Sequence, residues 1–153
     1  MSSLEGQRLA AFVHAVREST LKRLRRVPPG RENWRIAPGA MSFADLAQHL
    51  VDTDEWLFKK IEVKTLEPIV GYTGAIEIAD RAAYLALLDA LARTGERRCA
   101  LLERLTEKQF AEKIFDARFG GEVSLWWIIV RGNLDHEIHH RGQIAAYLRA
   151  LDV

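Results

Sequence analysis

The chain has 153 residues, of which 48% are hydrophobic and 28% are charged. These values are ordinary for a globular protein, so they exclude the disordered and fibrous classes, and the length suffices for a core without disulfides. The 22 basic and 21 acidic residues leave a formal charge of +1, which gives no overall field for binding a polyanion. We expect a single domain over residues 1–153 and no nucleic-acid partner.

The sequence also indicates a compartment. No run approaches the ~18 apolar residues that a membrane-spanning helix needs, and the N-terminal residues lack the charged and then apolar pattern of a signal peptide. Cys99 is the single cysteine, so an intramolecular disulfide cannot form, as is typical of proteins in a reducing compartment. We expect a cytoplasmic protein without a membrane partner.

A first amphipathic helix is predicted from about Leu4 to Val27, because apolar residues recur there at three- and four-residue steps. Pro28-Pro29-Gly30 is expected to end it. The basic stretch from Arg17 to Arg35 is interpreted as a solvated face whose cations complement the helix dipole, with a phosphate-binding patch as the alternative. The predicted inward stripe comprises Leu9, Phe12, Val13, Val16, Leu21 and Leu24.

A second helix is predicted to start after Ser42, whose side chain can cap the first turn, and to run to about Val63. Its apolar stripe includes His49, which therefore points inward and not to the charged side. The acidic residues Asp52, Asp54 and Glu55 follow. We interpret most of them as solvent-facing, with Asp52, three residues after His49, as the one that could line the same cavity.

Two connections and two further helices complete the chain. Residues 64–79 are interpreted as a long connection of the kind that forms a lid or cavity rim. Asp80 predicts the cap of a third helix that ends at about Thr106, and residues 107–122 predict a helical turn followed by an extended piece. Ser124 predicts the cap of a fourth helix, from Leu125 to about Leu151. Four long amphipathic helices predict an all-α, four-helix bundle.

Two histidines on the fourth helix indicate a metal site. His136 and His140 are four residues apart, so on a helix their Cβ atoms lie on one face, about 5–6 Å apart. Imidazoles at this spacing can share one metal ion. A Ser-His-Asp hydrolase is disfavoured because no serine stands in a nucleophile-elbow motif. A di-iron carboxylate bundle is disfavoured because Glu137-x-x-His140 is the only match to its Glu-x-x-His motif.

His49 is the candidate third ligand, because side chains from facing helices converge inside a bundle. Three neutral imidazoles leave a fourth coordination position for water or substrate, which is the pattern of catalytic sites. The full charge of the ion then acidifies a bound water or thiol. We expect a divalent metal, with zinc or nickel as the first candidates and iron or manganese as the next. In the alternative interpretation, the histidines are ordinary core or surface residues.

The string from His136 to Ile144, combined with the segment from Ala47 to Asp52, resembles the DinB/YfiT-like family of predicted metalloenzymes. The similarity covers nearly the whole chain, including the entry from Trp34 into the second helix. It implies a four-helix bundle with up-down-down-up topology, usually a homodimer, that holds a divalent metal on three histidines.

The resemblance also implies the roles of individual residues. The three ligand positions of the family are filled here by His49, His136 and His140, and His139 is then the histidine of the motif that does not bind metal. Arg141 and Gln143 belong to the same string, and their roles are interpreted as either structural or supporting the ligands.

The resemblance says less about the reaction. Characterised relatives include transferases and isomerases that use a low-molecular-weight thiol, and a related bundle holds the iron of a sulfoxide synthase. We therefore expect a metal-dependent enzyme that acts on a small molecule through a metal-bound thiolate or water, as a thiol S-transferase or a hydrolase. Asp52 is the candidate general acid or base. The alternative is a non-catalytic, metal-binding dimeric module for binding or stress response.

Overall fold

A computed structural model of the protein describes residues 2–67 and 75–153. Within these ranges the helices are α1 (Leu4–Leu24), α2 (Phe43–Glu62), α3 (Arg81–Arg104), α4 (Glu107–Ala111), α5 (Leu125–Trp127) and α6 (Asp135–Ala150). A hairpin of two antiparallel strands, β1 (Lys113–Asp116) and β2 (Gly121–Ser124), stands between α4 and α5, and its strands are joined by the 3₁₀ turn Ala117–Phe119. A π-helical segment, Ile128–Leu134, connects α5 to α6.

The helices begin where side chains cap them. The Ser42 hydroxyl accepts a hydrogen bond from the amide of Asp45, and the Asp45 carboxylate accepts one from the amide of Ser42, which forms a capping box at α2. Asp80 caps α3 and Ser124 caps α5 through bonds to amides three residues later. The predicted starts of these helices are therefore confirmed.

The four long helices form an up-down-down-up bundle. The side chain of Arg17 in α1 reaches Leu91 of α3, and Tyr84 at the start of α3 bonds the carbonyl of Leu24 at the end of α1, so α1 and α3 are antiparallel. Phe43 at the start of α2 packs against Tyr147 near the end of α6, and Asn133, just before α6, donates to the carbonyl of Thr53 further along α2, so this pair is antiparallel as well. The predicted fold class is confirmed.

A layer of polar side chains divides the apolar core. One apolar cluster lies towards the hairpin and includes Val13, Leu57 and Ile129. The other lies towards the start of α2 and includes Leu46 and Leu88. The histidines and a set of buried charged residues occupy the space between these clusters. The helices thus place the polar groups at mid-height in the bundle, where bundle sites are commonly built.

The predicted fourth helix is interrupted by its π-helical segment, whose wider turn often marks a functional position. Gly132 lies in this segment, and a Cβ atom on it would stand 3.0 Å from the ring of Trp56 in α2. Glycine therefore allows α2 and the π-helical segment to pack closely, one helical turn before His136.

Two sequence-based interpretations need correction or limits. Phe12 is 55% exposed, so its assignment to the inward stripe was wrong, because it lies beside and not on the face that α1 buries. The long connection after α2 has no regular structure over residues 64–67 and 75–79, and residues 68–74 lie outside the described part. No helix in the described ranges is long and apolar enough to span a membrane.

Candidate metal centre

Three imidazoles converge between α2 and α6. The Nε2 atom of His136 lies 3.1 Å from the Nε2 atom of His49 and 2.9 Å from that of His140. One ring nitrogen from each residue lies within 4.8 Å of the other two. His140 is buried, and the other two rings are half-buried. The structure therefore brings together the three side chains that the sequence singles out.

The three rings form T-shaped pairs. Their interplanar angles are 75°, 83° and 88°, so each ring is nearly perpendicular to the other two. Nitrogens bonded to one metal at 2.0–2.1 Å are about 2.9–3.4 Å apart when the angles between the bonds are about 90–109°. The two measured Nε2 separations fall in that range. Two of the three nitrogen separations therefore have the dimensions of a metal-ligand set, and the third is within 4.8 Å.

Hydrogen bonds behind two of the rings determine which nitrogen carries the proton. The Thr53 hydroxyl donates its single proton to the carbonyl of His49 at 2.7 Å, so it can only accept from Nδ1–H of His136, 3.3 Å away. The carbonyl oxygen of Gln143 likewise accepts from Nδ1–H of His140 at 2.6 Å. Both neutral rings therefore carry a lone pair on Nε2.

These two lone pairs face each other. The Nε2 atoms of His136 and His140 are 2.9 Å apart, and with both protons on Nδ1 neither atom can donate to the other. Electron pairs at this distance repel, whereas a cation between them attracts both. The supporting bonds from Thr53 and Gln143 are also of the kind that orients metal-binding histidines. The donor set therefore fits a bound cation.

The protein environment keeps the imidazoles neutral. Burial, followed by the neighbouring rings of His140 and His49, lowers the pKa of His136 to about 3. Burial lowers the pKa of His140 to about 4, although its bond to Gln143 acts in the opposite direction. Burial also lowers the pKa of His49, with the Asp52 carboxylate opposing it. Neutral imidazole is the form that binds metals, so protons compete only in acid.

The low pKa of His136 predicts that the metal-free protein loses stability in mild acid. Unfolded histidine takes up a proton near pH 6.5, whereas folded His136 does so only near pH 3. The unfolded state therefore binds more protons between these values, and the free energy of unfolding falls as the pH decreases through this window. Urea unfolding with a chelator present, between about pH 7 and 4.5, measures how the free energy of unfolding changes with pH. This change should be smaller in a His136→Asn variant, and an equal change in both proteins would contradict the prediction.

The hydroxyl of Thr53 predicts a second effect. Thr53→Val removes the acceptor for Nδ1–H of His136 while keeping the shape of the side chain, and we expect the dissociation constant for metal to rise about 10–100-fold. Thr20→Val is a matched control, because Thr20 is also buried and its hydroxyl bonds the carbonyl of Val16, far from the imidazoles. Competition with a chromogenic chelator gives both constants. Equal affinity in the Thr53 and Thr20 variants would be incompatible with this role for Thr53.

A network of buried charges lies behind the imidazoles. Arg17 donates two hydrogen bonds to the carboxylate of Glu137, at 2.6 and 3.2 Å, and forms an ion pair with Asp54 at 2.9 Å. Arg98 lies 2.8 Å from the Glu137 carboxylate and donates to Asn133 at 2.8 Å. Each of the four charged side chains is at most 3% exposed. Two arginines and two carboxylates balance, and they tie α1, α2, α3 and α6 together.

The network corrects two sequence-based interpretations. Arg17 was assigned to a solvated basic face and Asp54 to a group of mainly solvent-facing acids, yet both are buried. Burial disfavours the ionised form of Asp54, but Arg98 and Arg17 outweigh this effect and lower its pKa. The missed signal was spacing, since Arg17 stands four residues after Val13 and four before Leu21 on the inward stripe of α1.

The remaining predicted site residues lie at the edge of the cluster. Asp52 is exposed and accepts a hydrogen bond from Gln48 at 2.9 Å, and it does not join the three imidazoles. His139 is exposed, with its ring centroid 4.9 Å from that of His140. It lies outside the three-histidine group among the described residues.

Fold and site together define a helical bundle with a three-histidine cluster that could hold a metal ion. The chain belongs to the DinB superfamily, whose family model matches residues 13–144.

Comparison with individual proteins agrees with this assignment. The uncharacterised protein YjoA of Bacillus subtilis is 26% identical over 121 residues, which cover 78% of this chain and 73% of that protein. Its crystal structure, described as that of a DinB-like protein, is similar over 95% of this chain and 92% of its own, with a TM-score of 0.70 and 21% identity. A DinB-like protein from Bacillus cereus is similar over 99% and 94%, with a TM-score of 0.70 and 20% identity. At these identities the structures establish a shared fold.

Proposed function

We propose that His49, His136 and His140 bind one divalent metal ion, and that the protein is a metal-dependent enzyme acting on a small molecule. The observation that carries this proposal is the 2.9 Å separation of the Nε2 atoms of His136 and His140, on rings whose Nδ1 atoms face Thr53 and Gln143. Zinc or nickel is the first candidate, and iron or manganese follows, since imidazole suits all four.

The chemistry follows from the charge of the donor set. Because none of the three ligands is a carboxylate, the site keeps the full charge of a divalent ion, which lowers the pKa of a bound water or thiol and favours its deprotonated form. Thiol S-transfer and hydrolysis are the two reaction classes that we propose for such a group. Asp52, exposed and close enough to affect the pKa of His49, is the proposed general acid or base.

Cobalt substitution tests whether a coordination position is open to substrate. The metal-free protein is loaded with Co²⁺, and its visible spectrum is recorded before and after 2-mercaptoethanol is added. We expect one cobalt per chain and a new thiolate-to-cobalt absorption band. A spectrum that does not respond to thiol, azide or pH would contradict an open position and would favour the non-catalytic module. Failure to take up cobalt, zinc or nickel would refute the metal site itself.

The dimer and the cellular location implied by the sequence remain predictions. Sedimentation of the metal-loaded protein tests the homodimer, which the resemblance to the family implies. The proposed metal site needs no second subunit, because the three proposed ligands come from one chain.

A further inference from the structure

Arg118 packs against Trp56 and Gly132, which lie two helical turns after His49 and one turn before His136 in the chain. It belongs to the 3₁₀ turn of the hairpin, and its guanidinium group lies over two aromatic rings, 4.8 Å from the ring centroid of Trp56 and 4.9 Å from that of Phe119. Its Nη2 atom is 3.7 Å from the point where a Cβ atom on Gly132 would stand. Arg118 therefore packs against both elements that carry the histidines, α2 and the helix that continues into α6.

Two contacts relate this position to the imidazoles. Trp56, under the guanidinium, is one helical turn after Thr53, whose hydroxyl accepts from the ring of His136. Gly132 precedes His136 by one turn on the other helix. Arg118 is thus close enough to act on a molecule held at the histidines.

The orientation of the guanidinium is fixed on one edge only. The Asp116 carboxylate accepts from Nε and Nη2 of Arg118, each at 3.3 Å, and Asp116 is 1% exposed. The Nη1 atom makes no hydrogen bond with any residue in the described ranges, and the side chain of Arg118 is 31% exposed. Because the guanidinium of Arg118 is planar and stacked on two rings, it loses little conformational freedom when it binds a ligand. Its edge with Nη1 is therefore already oriented for binding.

Asp116 does not fully neutralise Arg118, because it is shared. The Nζ atom of Lys60 lies 3.8 Å from the same carboxylate, and the Lys60 side chain is fully buried. Burial lowers the pKa of Lys60, while Asp116 opposes this effect. The carboxylate of Asp116 thus interacts with two basic side chains and cannot neutralise both. Arg118, which is the exposed one of the two, can therefore attract an anion from solvent.

We propose that Arg118 binds a carboxylate group of the substrate, while the reacting group of the same molecule is held at the three histidines. The substrate class is therefore a small organic acid, such as a thiol that carries a carboxylate. A carboxylate is favoured because its planar oxygens match the in-plane N–H groups of a guanidinium. Arg118 is a specificity residue here, and its role rests on the proposed metal-dependent function.

Thiol binding to the cobalt-loaded protein tests this inference. The probes are mercaptoacetate, 3-mercaptopropionate and 4-mercaptobutyrate, each compared with the neutral 2-mercaptoethanol through the thiolate-to-cobalt band. For the best-fitting acid, we expect the ratio of its affinity to that of 2-mercaptoethanol to fall about 10–100-fold in Arg118→Gln. Comparing ratios cancels the different acidities of the thiols, and it requires no knowledge of the natural reaction.

Two further variants make the result specific. Arg131→Gln removes a positive charge from the π-helical segment, next to Gly132, but Arg131 is 57% exposed and paired with Asp135, so the variant should keep the wild-type ratio. Arg118→Lys keeps the positive charge and should keep part of the preference for the acidic thiol over 2-mercaptoethanol. Cobalt uptake equal to wild type shows that each variant is folded.

The outcomes separate the two proposals. An unchanged ratio in cobalt-loaded Arg118→Gln, or an equal loss in Arg131→Gln, would overturn the role of Arg118 and leave the metal site standing. Wild-type protein that takes up no metal would overturn both proposals. A wild-type protein that binds the acids no better than the neutral thiol would overturn the role of Arg118 alone.

Discussion

Replacing Glu137 by glutamine is expected to lower the free energy of unfolding by about 3–5 kcal/mol, because it leaves buried positive charge without its partner. Glu137 accepts hydrogen bonds from Arg17 and lies 2.8 Å from Arg98, and all three side chains are at most 3% exposed. In this environment neither arginine can recover the lost interaction from water. Urea unfolding of the two proteins at neutral pH measures the difference.

A nearby acidic residue provides the matched control. Asp135, two residues earlier, forms an ion pair with Arg131 in which both side chains are 57% exposed. Asp135→Asn should change stability by about 0–1 kcal/mol, as is usual for exposed pairs. A Glu137→Gln protein that is as stable as Asp135→Asn would contradict a stabilising role for the buried network.

A double variant distinguishes loss of charge balance from loss of packing. Arg17→Met combined with Glu137→Leu removes one charge of each sign and leaves Arg98 with Asp54. Because replacing a whole buried ion pair by apolar groups is often neutral, the double variant should lose less stability than the two single variants summed.

Much of the fold was predictable because its determinants are local. The inward stripes and the caps at Ser42, Asp80 and Ser124 are short-range patterns, and the structure places helix starts directly after all three. The hairpin between α4 and α5 was predicted only as an extended piece, since strand pairing depends on residues on both sides of the turn at Gly120. The π-helical segment was not predicted, because periodicity does not distinguish it from a regular helix.

The three histidines were predictable for a related reason. His136 and His140 share a face by helical spacing alone, and His49 stood out as a polar residue among apolar neighbours. Their convergence within 4.8 Å agrees with that pattern. That they bind metal remains the proposal made above.

The surroundings of the site could not be predicted, because they depend on contacts between distant parts of the chain. The pairing of Arg17 with Glu137 joins residues 120 positions apart, and Arg118 approaches Gly132 only because the hairpin folds back on the bundle. A charged residue in a helix is normally assigned to the surface. Only tertiary packing shows that these residues are partners of one another.

Loss of metal from His49→Ala is the second large effect that we expect. His49 is the only one of the three proposed ligands on α2, so removing it leaves two imidazoles on one helix and no ligand from the facing helix. Two imidazoles hold a divalent ion much more weakly than three. The third imidazole is already positioned by the fold, so its bond to the ion requires little loss of conformational entropy. Metal-dependent thermal stabilisation should disappear with the metal.

His139→Ala is the matched control for this variant. His139 is exposed and next to His140 in sequence, yet it lies outside the group of three among the described residues. Its removal changes the histidine count of the protein by the same amount as His49→Ala. Metal retained in His139→Ala and lost in His49→Ala would therefore assign the effect to the site and not to adventitious binding by surface imidazoles.

The most direct test is elemental analysis of protein purified without a histidine tag and dialysed against metal-free buffer. We expect about one equivalent of a divalent metal in the wild type and in His139→Ala, because three imidazoles bind the ion strongly enough to survive dialysis. His49→Ala should retain almost none. Wild-type protein that contains no metal and takes up none on addition of zinc, nickel, iron or manganese would show that the three histidines do not form a metal site.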